Sequence, residues 1–379
     1  MEFPICTTLG IEFPLLAFSH CRDVVVEVSK AGGMGVLGAA NMTPETLAIE
    51  LDWIDAQIDG LPYGVDLIVP NKMATQDESL NEADMLAAVP AGHKKFAGDV
   101  LANHDIQTSN MDQEALAKAE IIGNNLRVSG AAKLLEIAFS HPIRLIVNAL
   151  GTPPEIMLDM GKEHGVPVGA LVGARQQAIE QVKAGVDVLI VAGTEAGGHC
   201  GDVSTMVLVP EVCEAIAPLR GVPVLAAGGI VTGRQMAATM AMGAAGVWAG
   251  SVWLTTHEAE TSGSVKDKMI SAGSRDTIRS RSRTGKQSRQ LRSPWTEAWE
   301  KDGPEPLPMP LQSLVAEPAL ARIAKLAEGG HAGAKELDTY WVGQGVGLMN
   351  TRDSVRNVVF GFKKDYVEAC ERLVKYLGD

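Results

Sequence analysis

Eight short runs of almost unbroken apolar residues recur along the chain: PLLAF (14–18), GVLGA (35–39), YGVDLIV (63–69), IRLIVNAL (143–150), VPVGALV (166–172), VDVLIVA (186–192), VPVLAA (222–227) and AGVWAG (245–250). A strand with one wet face alternates apolar and polar positions, whereas runs apolar throughout are expected of parallel strands covered on both faces. Between the runs lie amphipathic stretches, among them 43–58, 153–165, 174–185 and 233–243, several with Pro near the start and Gly at the end, the punctuation of helices between strands. Strand and helix in alternation, with eight strands, predict an α/β fold: a (β/α)8 TIM barrel, with an open doubly wound sheet as its competitor.

Two segments break the rhythm. Residues 76–130, polar and helix-prone, follow the third strand; residues 255–379 follow the eighth and carry the proline-rich stop DGPEPLPMP (302–310). The expected organisation is a barrel from 1–75 and 131–254, a helical insertion at 76–130, and a mostly helical C-terminal region, 255–379, packing at the barrel mouth. The two additions are read as one helical lobe.

With 379 residues, 46% of them hydrophobic, the chain has material for a large core. The start MEFPICTTLG has no basic region before an apolar stretch, and no run approaches a membrane span, so neither signal peptide nor membrane segment is expected. Five scattered cysteines, none spaced as CxxC, suit reduced thiols in a cytoplasmic protein and point to no metal site. The net charge of −13 repels a phosphate backbone, so nucleic acid is not an expected partner. SRDTIRSRSRTGKQSRQLRS (274–293) is locally basic but lacks aromatics to stack bases. A solvated or internally paired face is the preferred reading, and lining of an anionic ligand's pocket stays open. The oligomeric state is not legible.

Glycines carry the candidate chemistry. GMGVLG (33–38) fits G-x-G-x-x-G, but a helical pattern precedes it and a strand follows, the reverse of a dinucleotide-binding fingerprint, so a helix-to-strand turn is expected. AAGGI (226–230) and AGS (249–251) instead end the seventh and eighth strands. Barrels commonly bind phosphate there, on backbone N–H groups that glycine leaves unobstructed. GTEAGGHCG (193–201) ends the sixth strand on the same face. Gly197 and Gly198 let backbone approach a flat ligand, His199 is delivered over it as a proton-exchanging group, and Glu195 orients the loop by accepting backbone N–H bonds. A lone histidine satisfied in a bend is the bland alternative, and its place beside a phosphate candidate decides against it. Cys200 lacks partners for a thiolate nucleophile and is read as a bystander.

EAGGHCG (195–201), PVLAAGGIVTGRQMAATMAMGAAGVWAGSVWL (223–254), TGKQSRQLRSPW (284–295) and YWVGQGVGL (340–348), with AGGMGVLGA (31–39) and PYGVDLIVP (62–70), resemble the nitronate monooxygenase family, also called 2-nitropropane dioxygenases. EAGGH alone is shared with FMN-dependent enoyl-ACP reductases; the ordered combination is specific. The resemblance implies an FMN enzyme that oxidises alkyl nitronates with dioxygen to a carbonyl compound and nitrite. It implies His199 as the catalytic residue, Gly197 and Gly198 beside the flavin, and Gly228, Gly229, Gly250 and Ser251 in the phosphate loops. Ala17, Phe18 and Ser19 end the first strand, where the family often has Pro-Met after that strand. Asp66 stands where an asparagine near the flavin ring is common, and Ala192 where Gln is frequent.

On that resemblance, Asp66 accepts a hydrogen bond from the flavin's ring N–H and its negative charge disfavours a reduced anionic flavin. A protonated His199 holds the nitro oxygens of a nitronate, and an unprotonated one removes the α-proton of a neutral nitroalkane. The alternatives are an NAD(P)H-dependent flavin reductase of quinones or enoyl thioesters on the same scaffold, a non-catalytic flavin-binding protein, and a phosphate-sugar barrel enzyme without flavin.

Overall fold

The computed structural model describes residues 3–69, 82–126 and 128–376. Residues 70–75 of the expected barrel, 76–81 of the expected insertion and Pro70 of PYGVDLIVP lie outside the described residues.

All eight apolar runs are strands: β1 (Leu15–Ser19), β2 (Met34–Gly38), β3 (Tyr63–Leu67), β4 (Leu145–Asn148), β5 (Val168–Val172), β6 (Val188–Ala192), β8 (Val224–Ala227) and β9 (Gly246–Ala249). They pair in parallel in that order, and β9 returns to β1 in the register Leu16↔Trp248, closing a (β/α)8 barrel among the described residues. Every residue of β2, β3, β4, β6, β8 and β9 is buried, the double coverage that leaves no polar alternation. Leu16, Met34, Val36, Leu145, Val147, Ile190 and Leu225 fill the lumen, and helix Pro4–Leu9 adds Ile5, Cys6 and Leu9 to that cluster.

The predicted helices form as Pro44–Gln57, Glu155–His164, Arg175–Ala184 and Gly233–Ala241; in GMGVLG only Gly33 belongs to the turn from helix Arg22–Lys30, and the remaining MGVLG is β2 itself. Helix Val355–Val374 differs from expectation. It packs between helices Gly233–Ala241 and Arg22–Lys30 and so occupies the ring position after β9 instead of the mouth. Gly233 makes this close approach possible, since a Cβ there would lie 2.0 Å from the carbonyl oxygen of Phe362. Asp365 pairs with Arg234 at 2.7 Å, and Phe362 stacks on Trp253.

A second core holds the helical lobe. Met85, Ala97 and Leu101 from the segment after β3 pack with Trp295, Trp299, Leu314, Ala319 and Ile323 from the segment after β9. The two interruptions of the barrel rhythm therefore share one cluster. A small antiparallel sheet stands over the mouth: β10 (Thr277–Ser280) pairs with β11 (Ser288–Leu291), and β11 with the two-residue β7 (Gly198–His199).

Candidate active site

The chain leaves β6 at Ala192 and turns at once, with Ala196 N–H donating to the carbonyl of Gly193. Glu195 Oε2 accepts from the backbone N–H of Thr205 at 2.9 Å and from its hydroxyl at 2.8 Å. A carboxylate at the start of helix Thr205–Ile216 satisfies an orphan donor and meets the positive end of the helix dipole. Gly197 lies against a later segment, where a Cβ would sit 2.8 Å from Gly343 N and from the carbonyl carbon of Val342. Gly198 adopts φ +73° with nothing within 4 Å of a Cβ position. His199 is then held by backbone pairing to Ser288, while Arg289 anchors the loop by donating to the carbonyl of Thr194 at 2.9 Å and 3.1 Å.

Residues 340–345 strap this loop to the others. The carbonyl of Tyr340 accepts from Leu291 N–H, Gln344 N–H donates to the carbonyl of Glu195, and Gly343 N–H donates to Ser251 Oγ at 2.8 Å. Glycine is again required by proximity, since a Cβ on Gly345 would lie 2.7 Å from the carbonyl oxygen of Gly229.

His199 Nε2 lies 2.8 Å from Thr284 Oγ1, with its ring edge toward Trp341. The Arg283 guanidinium stacks 3.9 Å over the Trp341 ring, its Nε donates to Glu317 Oε1 at 2.7 Å, and its Nη1 is buried without a partner. Desolvation first, then the positive charges of Lys286 and Arg283, pull the His199 imidazole down to about 4. His20 shows the same pattern: burial lowers it, the Gly38 hydrogen bond opposes, and Arg283 and Lys118 lower it further. His20 Nδ1–H donates to the Gly38 carbonyl at 2.7 Å, which leaves Nε2 as the acceptor of the neutral ring. Both histidines are exposed to solvent yet crowded by protein, the condition of side chains lining a concave mouth.

Of the two states of His199 expected from the sequence, protonated toward a nitronate and unprotonated toward a nitroalkane, this setting favours the unprotonated one at pH 7, because a desolvating wall and two cations oppose a further charge. Asp66 is corrected in the opposite sense. It lies one residue before the end of β3 in register with Gly38 and Val147, is 2% exposed, and burial raises its carboxyl well above the usual range, which opposes the negative charge expected of it.

At the ends of β8 and β9, Gly228 and Gly229 have φ of +112° and +68°, and a Cβ on Gly228 would lie 2.6 Å from Thr205 Oγ1. Among the described residues the N–H groups of Gly228, Gly229 and Gly250 donate to no protein acceptor. A Cβ on Gly250 would meet only Phe18 Cδ1, at 3.9 Å. Ala17 is wholly buried within β1, Phe18 stacks on Trp248 and meets His20 edge-on, and Ser19 Oγ accepts from Cys21 N–H. Burial raises the Cys200 thiol, which keeps it from being a thiolate, in line with a bystander.

The fold thus brings His199, the glycines and Asp66 to the C-terminal face of the barrel strands. It adds residues that the sequence reading did not single out: His20, Lys118, Thr284, Lys286 and Trp341. His20 was signalled only by its place one residue past β1. The basic segment is internally paired through Arg279–Asp202, Arg281–Glu305 and Arg283–Glu317, and Arg283 also lines the mouth. Among the described residues no helix is long and apolar enough to cross a membrane.

A family model described as nitronate monooxygenase matches residues 11–363. A Mycobacterium tuberculosis chain named "Putative monooxygenase Rv1533" is 47% identical over 376 residues, covering 98% of each chain. A Staphylococcus aureus protein named "Probable nitronate monooxygenase" is 26% identical, covering 90% of this chain and 91% of its own. Among solved structures, FabK from Thermotoga maritima superimposes with a TM-score of 0.73 at 25% identity, covering 99% of both chains. A nitroalkane oxidase from Streptomyces ansochromogenes reaches 0.78 over 97% of this chain and 99% of its own; at 22% identity it speaks to the fold.

Proposed function

The chain belongs to the nitronate monooxygenase family, and from that premise we propose that it is an FMN-dependent oxidoreductase that converts alkyl nitronates and dioxygen to carbonyl compounds and nitrite. One observation carries the reading: a neutral histidine stands in a mouth ringed by Arg283, Lys118 and Lys286, on a chain whose net charge is −13. A local concentration of cations on an acidic protein draws an anion to that place, and a nitronate is an anion.

The residues present suit a flavin mononucleotide. The N–H groups of Gly228, Gly229 and Gly250, unpartnered among the described residues and ending adjacent strands beside the turn Ser251–Thr255, would hold its phosphate. Phe18, Asp66 and the open backbone of Gly198 would hold its ring system toward His199. When bound, the flavin supplies the electron-accepting chemistry, and the protein supplies position and electrostatics.

Arg283 and Lys286 orient the nitro oxygens by charge. Neutral His199 offers a ring nitrogen that takes the α-proton of a neutral nitroalkane, leaving the nitronate and an imidazolium whose charge the new anion then balances. With a preformed nitronate no proton transfer to His199 is needed. Thr284 fixes the ring by its hydrogen bond to Nε2.

The test is the visible spectrum of purified protein under anaerobic addition of a nitronate and, separately, of NADH. Bleaching by the nitronate, followed by nitrite release on admitting air, is expected. Bleaching by NADH alone would instead establish a reductase of quinones or enoyl thioesters, a reading favoured by the full-length superposition on FabK. A colourless protein that takes up no flavin would overturn both.

A further inference from the structure

Among the described residues Asp66 is an acid of the mouth that pairs with no cation. The residue is 2% exposed within the barrel wall, yet among the described residues its carboxyl accepts no hydrogen bond and has no cation within ion-pair distance, and desolvation is what raises it. Its oxygens are absent from the fully occluded unsatisfied atoms, so they retain an open face despite the burial. Among the described residues the flanking elements supply no counter-charge. On the β2 side Gly38 has no side chain, and the His20 ring that reaches over it spends Nδ1–H on the Gly38 carbonyl. On the β4 side Asn148 uses its amide on Val69, Leu150 and Gly151. Elsewhere at the mouth, Lys118 is turned to Asn41 and Asn125 to the carbonyls of Ala40 and Met42. A buried carboxylate in such a place would bear the full cost of desolvation, and the neutral acid avoids it.

Resting on the flavin reading above, we propose that Asp66 acts as a hydrogen-bond donor, its protonated carboxyl giving its O–H to an acceptor on the ring system of the bound flavin, so that flavin binding is proton-linked through this residue. A protonated aspartic acid then does what an asparagine amide would do at the same point, but only while it keeps its proton. As pH rises and the carboxyl ionises, donor becomes acceptor, a negative charge is left facing the ring, and affinity falls. An asparagine has no such dependence.

Flavin affinity of the apoprotein, followed by quenching of FMN fluorescence from about pH 6 to about pH 9, tests this. The wild type is expected to lose roughly tenfold in affinity per pH unit once the carboxyl ionises, and Asp66→Asn to bind at least as tightly at high pH with that dependence removed. Infrared difference spectra of wild-type and Asp66→Asn apoprotein at neutral pH give a second readout, in which the wild type carries the carbonyl stretch of a protonated acid. A missing band, or the same pH dependence in the asparagine variant, overturns the proposal while leaving the flavin reading intact. If neither protein binds flavin at any pH, the flavin reading fails and this role with it, whatever the infrared band shows.

Discussion

The protonation state of His199 can be tested by removing one of its cations. With the imidazole held to about 4, the charged fraction at pH 7 is about 10⁻³, against about one quarter for an ordinary histidine at 6.5. Flavin-loaded wild type should therefore show a kcat/KM for neutral nitroalkanes that is flat from about pH 6 to about pH 8, with an acid limb near about 4. Lys286→Gln removes the second of three causes. Because desolvation is the larger, Lys286 accounts for at most half of the displacement from 6.5 to about 4, so the imidazole rises by at most about 1.2, to no higher than about 5.2. The acid limb should move up within that window, and ¹⁵N-histidine NMR titration of the same protein should move with it. The group's contribution to stability follows the same sign: it is present above about 6.5 and is lost as pH falls toward about 4, because the unfolded chain takes up the proton first. A wild-type limb near 6.5, or a limb that Lys286→Gln leaves in place, would refute the argument.

His199→Asn, checked first for flavin content, should lower turnover of neutral nitroalkanes by about 10²–10⁴-fold and cost preformed nitronates less, since only the former need a base; equal losses in steady-state assays would assign the ring to binding. Gly250→Glu should fold normally, its Cβ meeting only Phe18, and yet lose its flavin absorbance, because the carboxylate enters the proposed phosphate cradle. Gly197→Ala should destabilise by about 1–3 kcal/mol in urea unfolding, because its methyl group would meet the backbone of Val342 and Gly343, which cannot rotate away; an unchanged midpoint would show that the strap yields.

The barrel was legible because a parallel strand covered on both faces admits few polar positions, so eight almost unbroken apolar runs had few other uses. The glycine-rich loops after the sixth, seventh and eighth runs were legible too, since strand ends in a barrel share one face and so put His199 on the same side as Gly228 and Gly250. What each glycine is for was not: Gly197 accommodates Val342 and Gly343, residues about 145 positions away, and only packing reveals that contact. The last ring helix was hidden for a related reason. Helix Val355–Val374 follows β9 only after more than a hundred residues, and hydrophobic periodicity tells which face is buried without telling against what. Charge states depended most on the tertiary structure. His199 and Asp66 are ordinary titrating groups in the sequence; the first is held neutral by a desolvating wall and by lysine and arginine from the hairpin at 277–291, and the carboxyl of the second is raised by a wall that, among the described residues, offers it no counter-charge. Ionisation follows the local dielectric and the nearest charges, both set by side chains far apart along the chain, and no local pattern encodes them.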